Sequence, residues 1–182
     1  MCVSFMDPID CMYSIRLATH EDAQFLPAVE ESAGQTFAGH PKFDWIAKGE
    51  VQPVENHVEC IRKGLEWLVV DSHDQPVGFI MVEHLTGSLH IVELSVQQSA
   101  QGKSLGKRLI TQVIDFAKSQ QVSHVTLTTF RDIPWNAPYY QRLGFSIMAA
   151  SQLTPELDAI LQQEVDAGFQ AADRCAMQLS VN

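Results

Sequence analysis

The chain alternates between two hydrophobic periods, a repeat of two and a repeat near 3.6, and this alternation predicts its elements. Residues 13–18 read as a strand. Thr19 follows as a helix cap for residues 20–32, with Glu21 and Asp22 in the first turn. After a loop rich in Gly and Pro, apolar spacing predicts a second helix over 54–63. Glu66–Asp71, 76–84 and Ser88–Val96 then read as three successive strands, joined by turn chemistry at 72–75 and 85–88. This is an antiparallel meander. Beyond it come a helix over 108–118, a strand over 123–129, a short helix over 136–142 and a strand over 145–150. Thr154-Pro155-Glu156 opens a helix reaching Ala167, with Gly168 as its stop, and Arg174–Ser180 is the last strand.

The order of elements predicts a mixed α/β (α+β) fold. Its central sheet has about six to seven mostly antiparallel strands flanked by helices. With 182 residues, 46% of them hydrophobic, the chain can bury a full core, and a single domain over 1–182 is expected. Residues 1–12 read as a flexible N-terminal extension, and 151–182 as a C-terminal helix and strand.

Composition narrows the function classes. Twelve basic against 22 acidic residues give a formal charge of −10, which repels nucleic acid and anionic membrane, so neither partner is expected. No window holds the eighteen or so consecutive apolar residues of a membrane span, and the N-terminus lacks a basic segment leading into an apolar one; a soluble, cytoplasmic protein is expected. Cys2, Cys11, Cys60 and Cys175 are scattered without a Cys-x-x-Cys pair, and the seven His form no ligand cluster, so no metal is expected.

The chemistry concentrates where Ser88–Val96 runs into a loop of small residues and then a helix. Backbone amides at such a helix start lack internal partners, and Gly102 and Gly106 let the backbone approach an anion. A diphosphate is the expected guest. The spacing is neither that of a Walker loop nor the dinucleotide fingerprint Gly-x-Gly-x-x-Gly. Gln101-Gly102-Lys103-Ser104-Leu105-Gly106 instead resembles the Gln/Arg-x-x-Gly-x-Gly/Ala pyrophosphate loop of the GNAT superfamily of acyl-CoA-dependent N-acyltransferases. A second block, Asn136-Ala137-Pro138-Tyr139-Tyr140-Gln141-Arg142-Leu143-Gly144-Phe145, is similar to the Asn-x-x-x-Tyr-x-x-x-Gly-Phe segment of the same superfamily. One position departs from the pattern: the inner glycine of the loop is Ser104, and serine disfavours positive φ.

The resemblance implies acetyl-CoA as co-substrate and direct attack by an amine in a ternary complex. It implies that Gln101, Gly102, Lys103, Ser104, Leu105, Gly106 and Lys107 hold the diphosphate, that the main chain of Leu94, Ser95 and Val96 pairs with pantetheine, and that Asn136 binds the pantetheine arm. Tyr140 is implied as the group that protonates the departing thiolate. Chemistry supplies the other catalytic candidate. An alkylamine of pKa near 10.4 is neutral in only about one part in a thousand at pH 7, and only the neutral form attacks a thioester. Glu93, on the strand that enters the loop and sharing a face with Ile91 and Ser95, is the expected proton acceptor. Glu83, Glu30, Glu31 and Asp44 read as solvated faces, His90 and His84 as sheet positions, and Trp135, Phe130, Trp45 and Phe37 as loop aromatics.

An acidic surface suits a cationic acceptor, a small amine or a peptide amine, and exposed sheet edges leave a homodimer open. A non-catalytic CoA- or acyl-CoA-binding regulatory module is the alternative, motivated by Ser104.

Overall fold

A computed structural model describes residues 12–181; Cys2, Cys11 and all but the last residue of the extension expected over 1–12 lie outside the described residues. Among the described residues, seven strands form one sheet in the order β1-β2-β3-β4-β5-β7-β6. They are β1 Tyr13–Leu17, β2 Glu66–Asp71, β3 Pro76–Leu85, β4 Ser88–Val96, β5 His124–Phe130, β6 Ser146–Ile147 and β7 Arg174–Ser180. The helices are α1 Leu26–Gly34, α2 Val54–Arg62, α3 Leu105–Ser119, α4 Ala137–Arg142 and α5 Pro155–Asp166. The mixed α/β architecture and strand number agree with the expectation from sequence.

The chain divides into two compact units. Among the described residues, one takes 12–81 together with Glu93–Gln112; the other takes Val82–Val92 and 113–181.

In the first unit β1 pairs antiparallel with β2, Tyr13 opposite Asp71 and Leu17 opposite Trp67, and β2 pairs antiparallel with β3. Trp67, Leu68, Val69 and Val70 are all buried, so β2 is covered on both faces, which explains its unbroken apolar run. The β2–β3 register shifts between Val69 and Val70. Opposite Val69 stands Gly78, where an added Cβ would lie 2.9 Å from both the Ser95 carbonyl oxygen and Val69 Cγ1. Only glycine permits that approach, which sets the end of β4 tightly against β3.

Thr19 does not cap a helix. Its N–H and Oγ1 both donate to Asp22 Oδ2, at 2.7 and 2.8 Å, while the Arg16 guanidinium grips the same carboxylate through two bonds of 2.7 and 2.9 Å. The Asp22 carboxylate holds both the N–H and the hydroxyl of Thr19, and the helical turn opens with the 3₁₀ residues Ala23–Phe25 and becomes α1 at Leu26. Arg16 is the first cause of the fall of the Asp22 carboxyl to about 2.

In the second unit β5 pairs in parallel with β4, from Ser88 opposite His124 to Ile91 opposite Leu127, and antiparallel with β7 along its whole length. Thr154 Oγ1 accepts from Leu157 N and caps α5, as its sequence predicts. Glu164 of α5 accepts from Thr128 Oγ1 on β5 and from the Arg174 guanidinium on β7, which lies over the Phe130 and Phe169 rings. These contacts dock α5 on the sheet and make Phe130 a core residue rather than a loop aromatic. The strand expected over 145–150 shortens to β6, because after Met148 N bonds Ala176 O the Gln152 side chain captures Ala149 N and a 3₁₀ turn begins.

Candidate functional site

The loop that leaves β4 lies within the first unit. Gln97 N still bonds Val77 O at 2.9 Å, after which Gln98–Ala100 turn in a 3₁₀ coil. The Gln101 side chain folds back, its Nε2 donating to Val96 O at 2.9 Å, and Thr36 Oγ1 meets the same amide at 3.2 Å. Gln98 N donates to Ser32 Oγ of α1. Lys103 Nζ also turns inward, to Ser99 O at 2.7 Å. Buried Ala100 and Leu105 anchor the loop between these ties. Gly102 has φ +75° and Ser104 φ +59°. The first bond of the α3 ladder runs from Arg108 N to Ser104 O, so the amides of residues 105–107 precede it and face outward at the positive end of the helix dipole. That arrangement can receive an anion without reorganising.

Serine at 104 thus takes the left-handed conformation that its sequence disfavours. For an L residue this costs about 1–2 kcal/mol, which glycine would relieve at the expense of a freer unfolded chain. Ser104→Gly is expected to leave folding stability unchanged or raised by about 1 kcal/mol, and Ser104→Val to lower it by about 1–2 kcal/mol. Urea unfolding of the two variants measures this, and a Val variant as stable as wild type would contradict it.

Glu93 is half-buried on β4, and Ser95 Oγ donates to its Oε1 at 2.9 Å, which places the two side chains on one face as the period of two requires. Val92, by contrast, is 39% exposed. The last β4–β5 pair is Ile91 with Leu127, so residues 93–96 lie past the parallel ladder. Leu94 and Val96 are half-buried and Ser95 is buried.

A second carboxylate belongs to this strand's surroundings. Glu30 of α1, expected on a solvated face, is half-buried instead, and its Oε2 accepts the main-chain N–H of Gln52 at 2.9 Å. Burial is the chief reason that its carboxyl is pushed up to about 8; repulsion from Glu93 and Glu66 adds to it. Its neighbours show what signal was available: Leu26 and Val29 are both buried, so a residue four after the first and one after the second need not face water. Glu66 was also missed. It is wholly buried at the start of β2, its Oε1 2.7 Å from Nδ1 of the equally buried His57 of α2, and burial raises its carboxyl. Nearby, a cleft of about 530 Å³ is lined by residues including Glu31, Lys48, Glu50, Val51 and Pro53.

The second unit carries Asn136 and Tyr140. Asn136 precedes α4, where its carbonyl accepts from the amides of Tyr139 and Tyr140, and its Nδ2 donates to Thr129 Oγ1 at 2.9 Å. Its Oδ1 is buried with no hydrogen-bond partner among the described residues. An acceptor in that state fits an N–H donor from a bound molecule. Tyr140 is half-buried, its ring edge-on to Phe145 at 5.8 Å and to Tyr139 at 5.4 Å. Burial raises the Tyr139 hydroxyl, and Arg142 lies over that ring.

The other candidates behave as their sequence positions suggest. Burial drops the His90 imidazole to about 4, and its Nδ1 lies 3.0 Å from Thr126 Oγ1: it is a neutral sheet residue. Asp44 is held by Lys48 and by Gly39 N. Glu83 and His84 are exposed.

Comparison with known proteins places this geometry in a family. Residues 13–145 match the model of the acetyltransferase (GNAT) family. The chain is 22% identical over 142 residues to the peptidyl-lysine N-acetyltransferase YjaB of Salmonella typhimurium, covering 78% of this chain and 89% of that protein. Among solved structures, the PaiA N-acetyltransferase of Thermoplasma acidophilum, in complex with coenzyme A, superposes with a TM-score of 0.69 at 17% identity, covering 92% of this chain and 98% of the other. A GNAT-family acetyltransferase of Staphylococcus aureus gives 0.68 at 18% identity, covering 93% and 99%. A strand ending in an anion-receiving turn, in a sheet of this order and matched by the family model over most of its length, is reached from sequence and structure alike: the chain belongs to the GNAT family of acetyltransferases.

Proposed function

We propose that this chain transfers the acetyl group of acetyl-CoA to an amine, a small molecule or a peptide lysine, by direct attack in a ternary complex. The observation that carries the proposal is the turn over residues 101–107, where two left-handed residues and the amides preceding the α3 ladder leave donors free for a diphosphate. The main chain of residues 93–96 lies beyond the parallel ladder, where it would pair with pantetheine amides, with Val96 O already accepting from Gln101 Nε2. Asn136 Oδ1 supplies an unmatched acceptor for the same kind of group. Support also comes from the PaiA structure, which holds coenzyme A, and from YjaB, which acts on peptidyl lysine.

In this reading Glu93 takes the ammonium proton, the neutral amine attacks the thioester carbon, and Tyr140 protonates the sulfur as it leaves. The thioester is already activated, so the protein contributes position and proton transfer. No described helix is long and apolar enough to cross a membrane, and a cytoplasmic site, where acetyl-CoA is at hand, suits the reaction.

Calorimetric titration with acetyl-CoA, followed by a thiol-release assay over an amine panel that includes a lysine peptide, tests the proposal. Binding is expected, with stabilisation of about 2.7 kcal/mol at a ligand concentration one hundred times Kd, and thiol release with at least one amine. No binding heat overturns the proposal; binding without turnover replaces it with the regulatory module.

A further inference from the structure

We propose that Thr129 is a positioning residue for coenzyme binding: its hydroxyl oxygen takes the donor end of the Asn136 amide, so that the acceptor end, Oδ1, is kept for an N–H of the pantetheine arm. The inference rests on the acetyl-transfer reading. Strand β5 supplies the geometry. Side chains alternate along a strand, and Thr126 and Thr128 use one face, where Thr126 Oγ1 lies 3.0 Å from His90 Nδ1 and Thr128 Oγ1 donates to Glu164 of α5. Thr129 takes the other face and is 4% exposed. The chain then leaves the strand, with Arg131 N donating to Asp173 O at 2.7 Å and Ile133 buried beneath the turn. Asn136 N donates to Ile133 O at 2.9 Å, which closes that turn and returns the Asn136 side chain to β5, its Nδ2 2.9 Å from Thr129 Oγ1.

The hydrogen bonds of Asn136 leave one group over. Its main-chain N–H goes to Ile133, its carbonyl accepts from the amides of Tyr139 and Tyr140, and its Nδ2 donates to Thr129. Oδ1 is buried without a hydrogen-bond partner among the described residues. Such an acceptor is costly to leave unmade, and a ligand N–H removes the cost. A side-chain amide has two unlike ends, and a half-turn about its last bond exchanges them. Thr129 Oγ1 tells the ends apart. With Nδ2 committed to it, the site offers an acceptor, the complement of the secondary amide N–H groups of pantetheine; turned the other way, it would set a donor against a donor. Thr129 stands opposite Cys175 in the antiparallel pairing of β5 with β7, so the sheet fixes the backbone that carries Oγ1 before any ligand arrives.

The test compares two ligands by calorimetry: coenzyme A, and 3′-phosphoadenosine 5′-diphosphate, which carries the diphosphate but no pantetheine amide. Valine at 129 keeps the shape and loses the oxygen. Thr129→Val is therefore expected to raise Kd for coenzyme A by about five- to thirtyfold and to leave Kd for the nucleotide within about twofold of wild type. Thr129→Ser restores the oxygen and should bring the coenzyme A value back to within about threefold. In an Asn136→Ala background, Thr129→Val should weaken coenzyme A no further, because the group it positions is gone. Urea unfolding checks that each variant is folded, and Thr129→Ala replaces the valine variant if that one is not. A merely structural Thr129 would weaken both ligands alike or neither; either result overturns the inference, as does a serine variant no better than the valine one. Wild type separates the two failures. If it binds no coenzyme A, the acetyl-transfer reading falls and this inference with it; if it binds both ligands and Thr129→Val leaves the ratio of their Kd values unchanged, only the role of Thr129 is lost.

Discussion

Glu93→Gln is expected to lower kcat by about 10²- to 10⁴-fold, the range that a positioned general base supplies. Glutamine fills the same space on β4 and can still accept the Ser95 Oγ hydrogen bond, so the half-buried site keeps its shape and loses only the ability to take a proton. The amine must then reach the thioester through its small neutral fraction, which grows tenfold with each pH unit below about 10. The variant's residual rate should therefore climb steadily with pH instead of reaching a plateau. On the proposal that the loop and main chain hold coenzyme A, its Kd should change by less than about twofold, which separates catalysis from binding. Removing the Glu93 charge also withdraws repulsion from Glu30, so the variant should be no less stable than wild type above pH 7. A Glu93→Gln enzyme with wild-type kcat and an intact acidic limb would discard Glu93 as the base.

Much of the scaffold was legible because its signals are local. The run at Glu66–Asp71, the turn before Ser88 and the Thr154-Pro155 cap each fix an element through neighbours in sequence, and each stands where those signals put it. Where a side chain turns back onto its own neighbours in the chain, pattern alone misled. Thr19 looks like a cap, but its N–H and hydroxyl both go to Asp22, which Arg16 shares. The strand expected over 145–150 ends early because Gln152 reaches back to Ala149. The loop over 101–107 was readable from its small residues, yet its inward ties were not: Lys103 looks like a phosphate-facing cation and instead bonds Ser99 O.

The titratable groups divide the same way. Glu93 is singled out by its strand, since a carboxylate between Val92 and Leu94 must choose a face. Glu30 reads as a solvated carboxylate because a helix has a polar side, and only the tertiary position of Gln52 and Glu93 shows that this side is covered. Glu66 opens an apolar strand, where an acid ordinarily marks a strand end in water. Its burial depends on His57, nine residues earlier and on another element.

That pair yields the largest expected loss of stability. His57 and Glu66 are both wholly buried, 2.7 Å apart, with the imidazole edge-on to Phe79 at 5.0 Å. His57 Nε2 and Glu66 Oε2 have no hydrogen-bond partner among the described residues, so each group depends on the other for the one bond that offsets its desolvation. His57→Leu strands the carboxyl and is expected to cost about 3–5 kcal/mol, whereas His57→Leu combined with Glu66→Leu should recover most of that loss, since a buried polar pair exchanged for apolar side chains is often near neutral. The pH dependence has a definite sign. Burial is the first cause of the raised Glu66 carboxyl, and the hydrogen bond and charge of His57 oppose it. A carboxyl raised on folding contributes stability that is full below its unfolded value near 4.5 and lost as pH climbs through its folded value. Without His57 the folded value climbs further, so the deficit of His57→Leu should be smaller at pH 5 than at pH 8. Urea unfolding of wild type, both single variants and the double at these two pH values gives the coupling energy directly. If His57→Leu stays within about 1 kcal/mol of wild type at both, the buried pair is not what holds α2 against β2.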